Sequence, residues 1–369
     1  MRLLFVTQTI DADHPALAQT IDLVRELAAR SESVTVLCDS VRRHDLPPNV
    51  ELVTFGARSR TSRGLRFERA AAAVLLRSEG RPDAAVVHMV PLFLLLLAPL
   101  AKARSVPLLL WYTHWHAGRS LRLATTLADT VLSVDRRSFP LTTAKLHPTG
   151  HAIDVARFAP VEGAPAKEAP AEETPTSERL RLLALGRMAR WKGYETMLEG
   201  LRLAVARGLD AELELRGPAL TEDERAHGAE LEQLVAGSEE LRGRVRLQPP
   251  VSRDRIPALL QTAHALLSAT QPRGGETLDK VVYEAAACGV PVVASNTALT
   301  EFLGDLDLEL RFPPRDAEAL ARVLLELGAA TLEERRRVGL ELRQRVIAGH
   351  SVKSWADSVA SLVVARGRQ

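Results

Sequence analysis

The apolar positions of this 369-residue chain follow two spacings that alternate along its length. Short apolar runs at residues 3–7, 34–38, 50–55, 84–88, 108–112 and 130–134 have the length and the flanking breakers of buried strands. Between them, residues 16–30, 67–77, 92–103 and 121–128 carry apolar side chains at helical spacing, as Leu17, Ile21, Val24 and Leu27 do in the first of these. A strand–helix–strand rhythm builds a parallel sheet covered on both faces, and such sheets take ligands at the carboxyl ends of their strands. The rhythm stops at residues 161–178, where Pro, Ala and charged residues without an aromatic side chain read as a solvated linker. It then restarts, with strands at 180–185, 212–216, 245–247, 265–268 and 292–295. The helices of this half lie at 194–207, 222–234, 256–262, in the stretch that ends at Gly289, and at 317–327. The expected fold is α/β, with two Rossmann-like doubly wound domains. Residues 1–160 form the first, 161–178 the linker and 179–348 the second, and 349–369 are a C-terminal helix that packs back on the first domain.

Composition narrows the class. Hydrophobic content of 46% and charged content of 25% describe an ordinary globular chain. Cys38 and Cys288 sit far apart in apolar segments, so neither a disulfide framework nor a zinc site is implied, and a reducing cytoplasm is the expected compartment. The apolar run at 90–101 is broken by Pro91 and Pro99 and falls short of the ~20 residues that span a bilayer. The N-terminus leads directly into a strand, without the cleavage site of a signal peptide. Charge is uneven. Residues 1–160 hold 20 Lys and Arg against 14 Asp and Glu, a net +6, and the remainder holds 28 against 32, a net −4. Much of the excess lies at Arg58, Arg60, Arg63, Arg66 and Arg69, interleaved with Leu65 and Phe67. This stretch is either a solvated helix face or a surface for anionic lipid headgroups; no recognition motif points to nucleic acid.

The densest chemistry lies at residues 274–296. Gly274-Gly275 lead to Glu276, a second carboxylate, Glu284, follows eight positions on, and Gly289, Pro291 and a buried strand close the unit. Eight helical residues rise ~12 Å, about the span between the two sugars of a nucleotide-sugar. The amides after Gly275, at Glu276, Thr277 and Leu278, open a helix and suit an anion. Glu276-x7-Glu284 with the tail Ala285-Ala286-Ala287-Cys288-Gly289-Val290-Pro291-Val292-Val293 resembles the E-x7-E signature of retaining GT-B glycosyltransferases of family 4. The resemblance extends to Gly186-Arg187, four intervening residues, then Lys192-Gly193. It implies that Arg187 and Lys192 take up the charge that builds on the donor diphosphate when the glycosidic bond breaks, with Arg190 and Trp191 as neighbours. Such charge stabilisation needs no metal, and no cofactor is implied beyond the nucleotide diphosphate-sugar co-substrate. Gly217, in Leu215-Arg216-Gly217-Pro218, and Val251 stand where the family lines the nucleotide.

In the first domain the resemblance places a histidine at the end of the 108–112 strand, near the transferred sugar. His114 fits best, with His116 beside it on the acceptor side; they face opposite ways if the strand continues and the same way only after a turn. Residues 147–158 resemble the segment that ends this domain, keeping its Asp154 and Phe158 but not its Asn-Gly. Two departures stand out. The loop after the first strand has no glycine and offers Asp13 and His14 as acceptor-side groups, and Thr277-Leu278-Asp279-Lys280 replaces a Gly-x-Gly. Asp11-x-Asp13 and Asp305-x-Asp307 read as chance pairs, not metal sites. The implied reaction is sugar transfer to a hydroxyl of a glycan or lipid-linked acceptor in cell-envelope or polysaccharide synthesis, in the cytoplasm or at the inner face of the membrane. A non-catalytic nucleotide-sugar-binding scaffold and another GT-B activity such as a sugar phosphorylase are the rival readings.

Overall fold

The computed structural model describes residues 1–14, 17–114, 116–160, 179–271 and 279–367. The chain divides into two compact units, Met1–Asp154 with Gly349–Gln369, and Val155–Ala348. Residues 155–160 thus cluster with the second unit.

The first unit runs β1 (Arg2–Ile10), α1 (Thr20–Ala28), β2 (Ser33–Val41), β3 (Val50–Thr54), α2 (Arg60–Leu75), β4 (Ala84–His88), α3 (Pro91–Ala103), β5 (Leu108–Trp111), α4 (Arg119–Leu127), β6 (Thr130–Ser133) and β7 (Leu146–Pro148). Its seven strands lie in the order β3-β2-β1-β4-β5-β6-β7, and every pairing is parallel. Strand periodicity sorts the core to two faces. Leu4, Val6, Val87 and Leu110 face Phe67, Leu94, Leu97 and Leu121 of α2, α3 and α4. Leu3, Phe5, Val86 and Trp111 face the other way, against Ile21, Val24 and Leu27 of α1 and against Trp355, Val359 and Val363.

The second unit runs β8 (Leu180–Leu185), α5 (Tyr194–Ala206), β9 (Ala211–Arg216), α6 (Glu222–Gly237), β10 (Val245–Gln248), α7 (Ile256–Leu260), β11 (Ala265–Ser268), α8 (Lys280–Ala287), β12 (Val292–Ala294), α9 (Ala317–Ala329) and α10 (Leu332–Gly349). Its five strands are parallel in the order β10-β9-β8-β11-β12. The chain then returns to the first unit as α11 (Val352–Gly367), whose Trp355 is fully buried there. Arg30, two residues past α1, donates to Asp357 of α11 at 2.6 Å, and Arg366 donates to Thr130 Oγ1 at 3.0 Å.

Each strand order reverses once, between β1 and β4 in the first sheet and between β8 and β11 in the second. At such a reversal the loops part to opposite faces and leave a crevice at the strands' carboxyl ends. No helix among the described residues is long and apolar enough to cross a membrane.

Candidate functional site

The crevice of the second unit is built where β8 gives way to a single 3-10 turn, Arg190–Lys192. Gly193 ends this turn at φ +70, a conformation that costs a side-chain-bearing residue. A Cβ there would lie 2.2 Å from the carbonyl of Ala269, so only glycine lets α5 start so close to β11. Gly217 packs more tightly still: a Cβ on it would stand 1.8 Å from the Gly186 carbonyl oxygen. A Cβ on Gly186 would stand 3.0 Å from Cε of Lys192. The two glycines therefore let the β8 and β9 loops meet and leave the lysine side chain room to pass.

Two cations result, each against a buried carboxylate. Lys192 Nζ lies 2.7 Å from Asp279 Oδ1, with side chains only 11% and 10% exposed, and 4.6 Å from the centre of the Trp191 ring. Asp279 precedes α8, and its other oxygen accepts from Thr270 Oγ1 and, at 3.3 Å, from Ser268 Oγ. Arg187 forms an ion pair with Glu224 Oε1 at 2.5 Å; the arginine side chain is 45% exposed and the glutamate 4%. The second oxygen of Glu224 accepts from the Leu220 amide at 2.6 Å, while Thr221 caps α6 by accepting from the Glu224 amide. Tyr194 spans the loop beneath, donating to the carbonyls of Gly186 (2.9 Å) and Arg187 (3.2 Å). Burial, reinforced by Asp279 and Glu224, pushes its pKa up, so it remains a donor. Buried His227 holds the loop from the other side, between the Met188 carbonyl and Glu195, each at 2.9 Å. Arg190 is committed elsewhere, in a two-pronged contact with Glu230 at 2.7 and 2.8 Å.

Glu284 lies in α8, 7% exposed, with Lys280 one turn earlier at 3.3 Å. Val251 follows β10 and is half-buried. Glu276, Thr277 and Leu278 lie outside the described residues, as do Gly274 and Gly275. The second unit thus brings Gly186, Arg187, Lys192 and Gly217 together at the ends of β8 and β9.

In the first unit β5 ends at Trp111, although the Tyr112 amide still donates to the Leu132 carbonyl at 3.0 Å. Tyr112 donates to the His116 carbonyl at 2.8 Å, and the His116 amide donates to His114 Nδ1 at 3.1 Å. The partial burial of His114, with His116 beside it, lowers its pKa. Asp13 forms a two-pronged ion pair with Arg43, which holds its carboxyl below the usual range. His14 Nδ1 accepts from the Leu17 amide at 2.9 Å. In the basic stretch, Arg63 pairs with Asp39 at 3.1 Å and Arg66 donates to the Gly56 carbonyl at 2.7 Å, while Leu65 is 62% exposed. The crevice between β1 and β4 holds a neutral pair instead: Thr7 Oγ1 lies 3.0 Å from His88 Nδ1. The His88 ring stacks on Phe5 and Trp111, and burial pushes its pKa down to about 4.

Residues 179–329 match the sequence profile of the family described as Glycosyl transferases group 1. A D-inositol 3-phosphate glycosyltransferase from Salinispora tropica is 29% identical over 195 residues, which cover 48% of this chain but only 38% of that protein. Sucrose-phosphate synthase from Thermosynechococcus elongatus superposes with a TM-score of 0.71 at 18% identity, over 99% of this chain and 98% of that one. HepE from Anabaena, solved in complex with UDP and glucose, gives a TM-score of 0.71 at 17% identity, over 99% of this chain and 100% of that one. The fold is GT-B. In this GT-B chain the profile match covers every cation and carboxylate of the second-unit crevice just described.

The sequence reading missed two of those groups as partners. Glu224 had a signal: Thr221-x-x-Glu224 has the spacing of a capping box, which marks a helix start. What the spacing could not show is that one carboxylate oxygen turns to Arg187, which lies 37 positions earlier. Asp279 was visible only as a departure from a Gly-x-Gly; its bond to Lys192 joins positions 87 apart.

Proposed function

We propose that this chain is a retaining glycosyltransferase that moves a sugar from a nucleotide diphosphate-sugar to a hydroxyl of a glycan or lipid-linked acceptor. The observation that carries the reading is the pair of cations at the end of β8, each fixed by a buried carboxylate, at the reversal point of a parallel sheet. Breaking the C1–O bond of such a donor places about one more negative charge on the diphosphate. Cations fixed beforehand stabilise that charge without reorganising at the moment of reaction. Arg187 and Lys192 take this role. Glu284, on α8, grips the ribose; Glu276 grips the transferred sugar; Gly217 and Val251 line the nucleotide. His114 and His116 serve the sugar and the acceptor, with Asp13 and His14 on the acceptor side. Attack by the acceptor hydroxyl on the face the leaving group vacates keeps the anomeric configuration and requires no enzyme nucleophile. The Arg58–Arg69 stretch supplies a surface for anionic lipid, consistent with a lipid-linked acceptor at the inner face of a membrane.

The test is incubation with UDP-, GDP-, ADP- and TDP-glucose, following nucleoside diphosphate release and the anomeric proton of the product by NMR. Release with retained configuration is expected. Binding without release would make the chain a scaffold, release that requires inorganic phosphate would make it a phosphorylase, and an inverted product would overturn the mechanism.

A further inference from the structure

An Asp ahead of a helix is ordinarily spent on the helix's own amides, which its carboxylate caps. Asp279 immediately precedes α8 yet makes no side-chain cap. Its carboxylate is turned instead into the crevice between β8 and β11. One oxygen meets Lys192 Nζ at 2.7 Å, and the other accepts from Ser268 Oγ, at the end of the strand that flanks the reversal, and from Thr270 Oγ1, two residues beyond it. The Trp191 ring backs the ammonium from a second direction, 4.6 Å away. Both charged side chains are close to nine-tenths buried.

A lysine carries its charge on a flexible four-carbon stem and is a poor fixed point charge unless something holds it. Here the hydroxyls fix the carboxylate, the carboxylate fixes the ammonium, and side-chain-free Gly186 leaves the space the stem crosses. We propose that Asp279 is a positioning residue. It holds the Lys192 ammonium where the leaving diphosphate develops charge, and it competes with that diphosphate for the same ammonium. The inference rests on the glycosyltransferase reading above. It predicts a split that structural damage does not produce. Removing the negative charge strengthens anion binding at the site, because a competing carboxylate is gone, and slows turnover, because the ammonium is no longer held.

Asp279→Asn, Asp279→Glu and Lys192→Ala are compared with wild type in the full chain, with folding checked by circular dichroism. Inorganic pyrophosphate affinity is measured by calorimetry, and kcat with whichever of UDP-, GDP-, ADP- and TDP-glucose the wild type turns over fastest. For Asp279→Asn, pyrophosphate binds roughly three- to ten-fold tighter and kcat falls about ten-fold. Asp279→Glu returns pyrophosphate affinity toward wild type and restores part of the turnover. If Lys192→Ala is impaired while Asp279→Asn keeps wild-type constants, or loses affinity and turnover together, the positioning role is wrong and the site reading stands. If Lys192→Ala changes neither constant, the site reading falls and this inference falls with it.

Discussion

The two sheets of this chain reverse their strand order in the same way, yet they furnish the reversal point with opposite chemistry. Between β8 and β11 stand Lys192 and Asp279, a charged pair, with Arg187 and Glu224 at the adjoining loop. Between β1 and β4 stand Thr7 and His88, a neutral pair, with the imidazole stacked on Phe5 and Trp111. A charged pair with an exposed guanidinium can exchange partners with a diphosphate. A neutral pair sealed by aromatic rings cannot. Topology makes two crevices, and side chains decide that one of them carries paired charges while the other is part of a core.

The contrast breaks most visibly at the cations. Replacing Lys192 or Arg187 with Ala is expected to lower kcat by roughly 10²–10³, as for other electrostatic stabilisers, whereas Thr7→Val leaves kcat within a few-fold of wild type. Near-normal turnover in both cation variants, measured with the best nucleotide-sugar, would erase the distinction.

The next effect is on stability and belongs to the first unit. Burial pushes the pKa of His88, and that of His350 in the same unit, down to about 4, while an unfolded imidazole takes its proton near pH ~6.5. Above that pH both states are neutral and stability is flat. As pH falls from about 6.5 toward 4 the unfolded chain binds protons that the buried rings refuse, so stability is lost. Each ring accounts for about 2 kcal/mol between pH 7 and pH 5. Urea unfolding at both pH values checks this: His88→Asn is expected to remove about 2 kcal/mol of the pH-dependent loss, and an unchanged loss would show that His88 is not held neutral.

Smaller again is Glu284. Glu284→Gln is expected to weaken nucleoside diphosphate binding about ten-fold by calorimetry, the cost of a charged hydrogen bond to a ribose. Unchanged affinity would move the ribose elsewhere. The smallest effect per residue concerns the basic stretch. Arg63 and Arg66 hold Asp39 and the Gly56 carbonyl, so the clean variant reverses Arg58, Arg60 and Arg69 to Glu. Loss of about 1 kcal/mol of vesicle affinity per residue is expected on anionic liposomes; equal binding by variant and wild type would return the stretch to a solvated helix face.

How much of this was legible in the sequence divides along the same line. The apolar positions located the strands because those at the sheet centres are near-continuous apolar runs, while β3, β9 and β10 toward the edges still keep apolar residues at alternate positions. They did not reveal β7, whose three residues include one buried side chain, or α10, where Val338, Gly339, Leu342 and Val346 face the core amid charged neighbours. In the second unit, Gly186, Arg187, Lys192 and Glu284 stood out in the sequence through their spacing, which resembles a family pattern. Their partners Glu224 and Asp279 did not, since ion pairs between distant loops leave no local pattern. In the first unit, Thr7 and His88 were unremarked because a buried hydroxyl and imidazole at strand ends look like any strand end. The turn that brings the His116 amide onto His114 was equally hidden, because it depends on where β5 stops.

The claim that one crevice takes the nucleotide and the other does not is tested most directly by hydrogen exchange on the full chain, with and without a saturating nucleoside diphosphate. The account predicts slowed exchange confined to the second unit, in the peptides that contain Gly186 to Lys192, Gly217, Val251 and Glu284. Protection centred instead on Thr7 to His14 and His88 to Pro91, with those second-unit peptides unchanged, would contradict it.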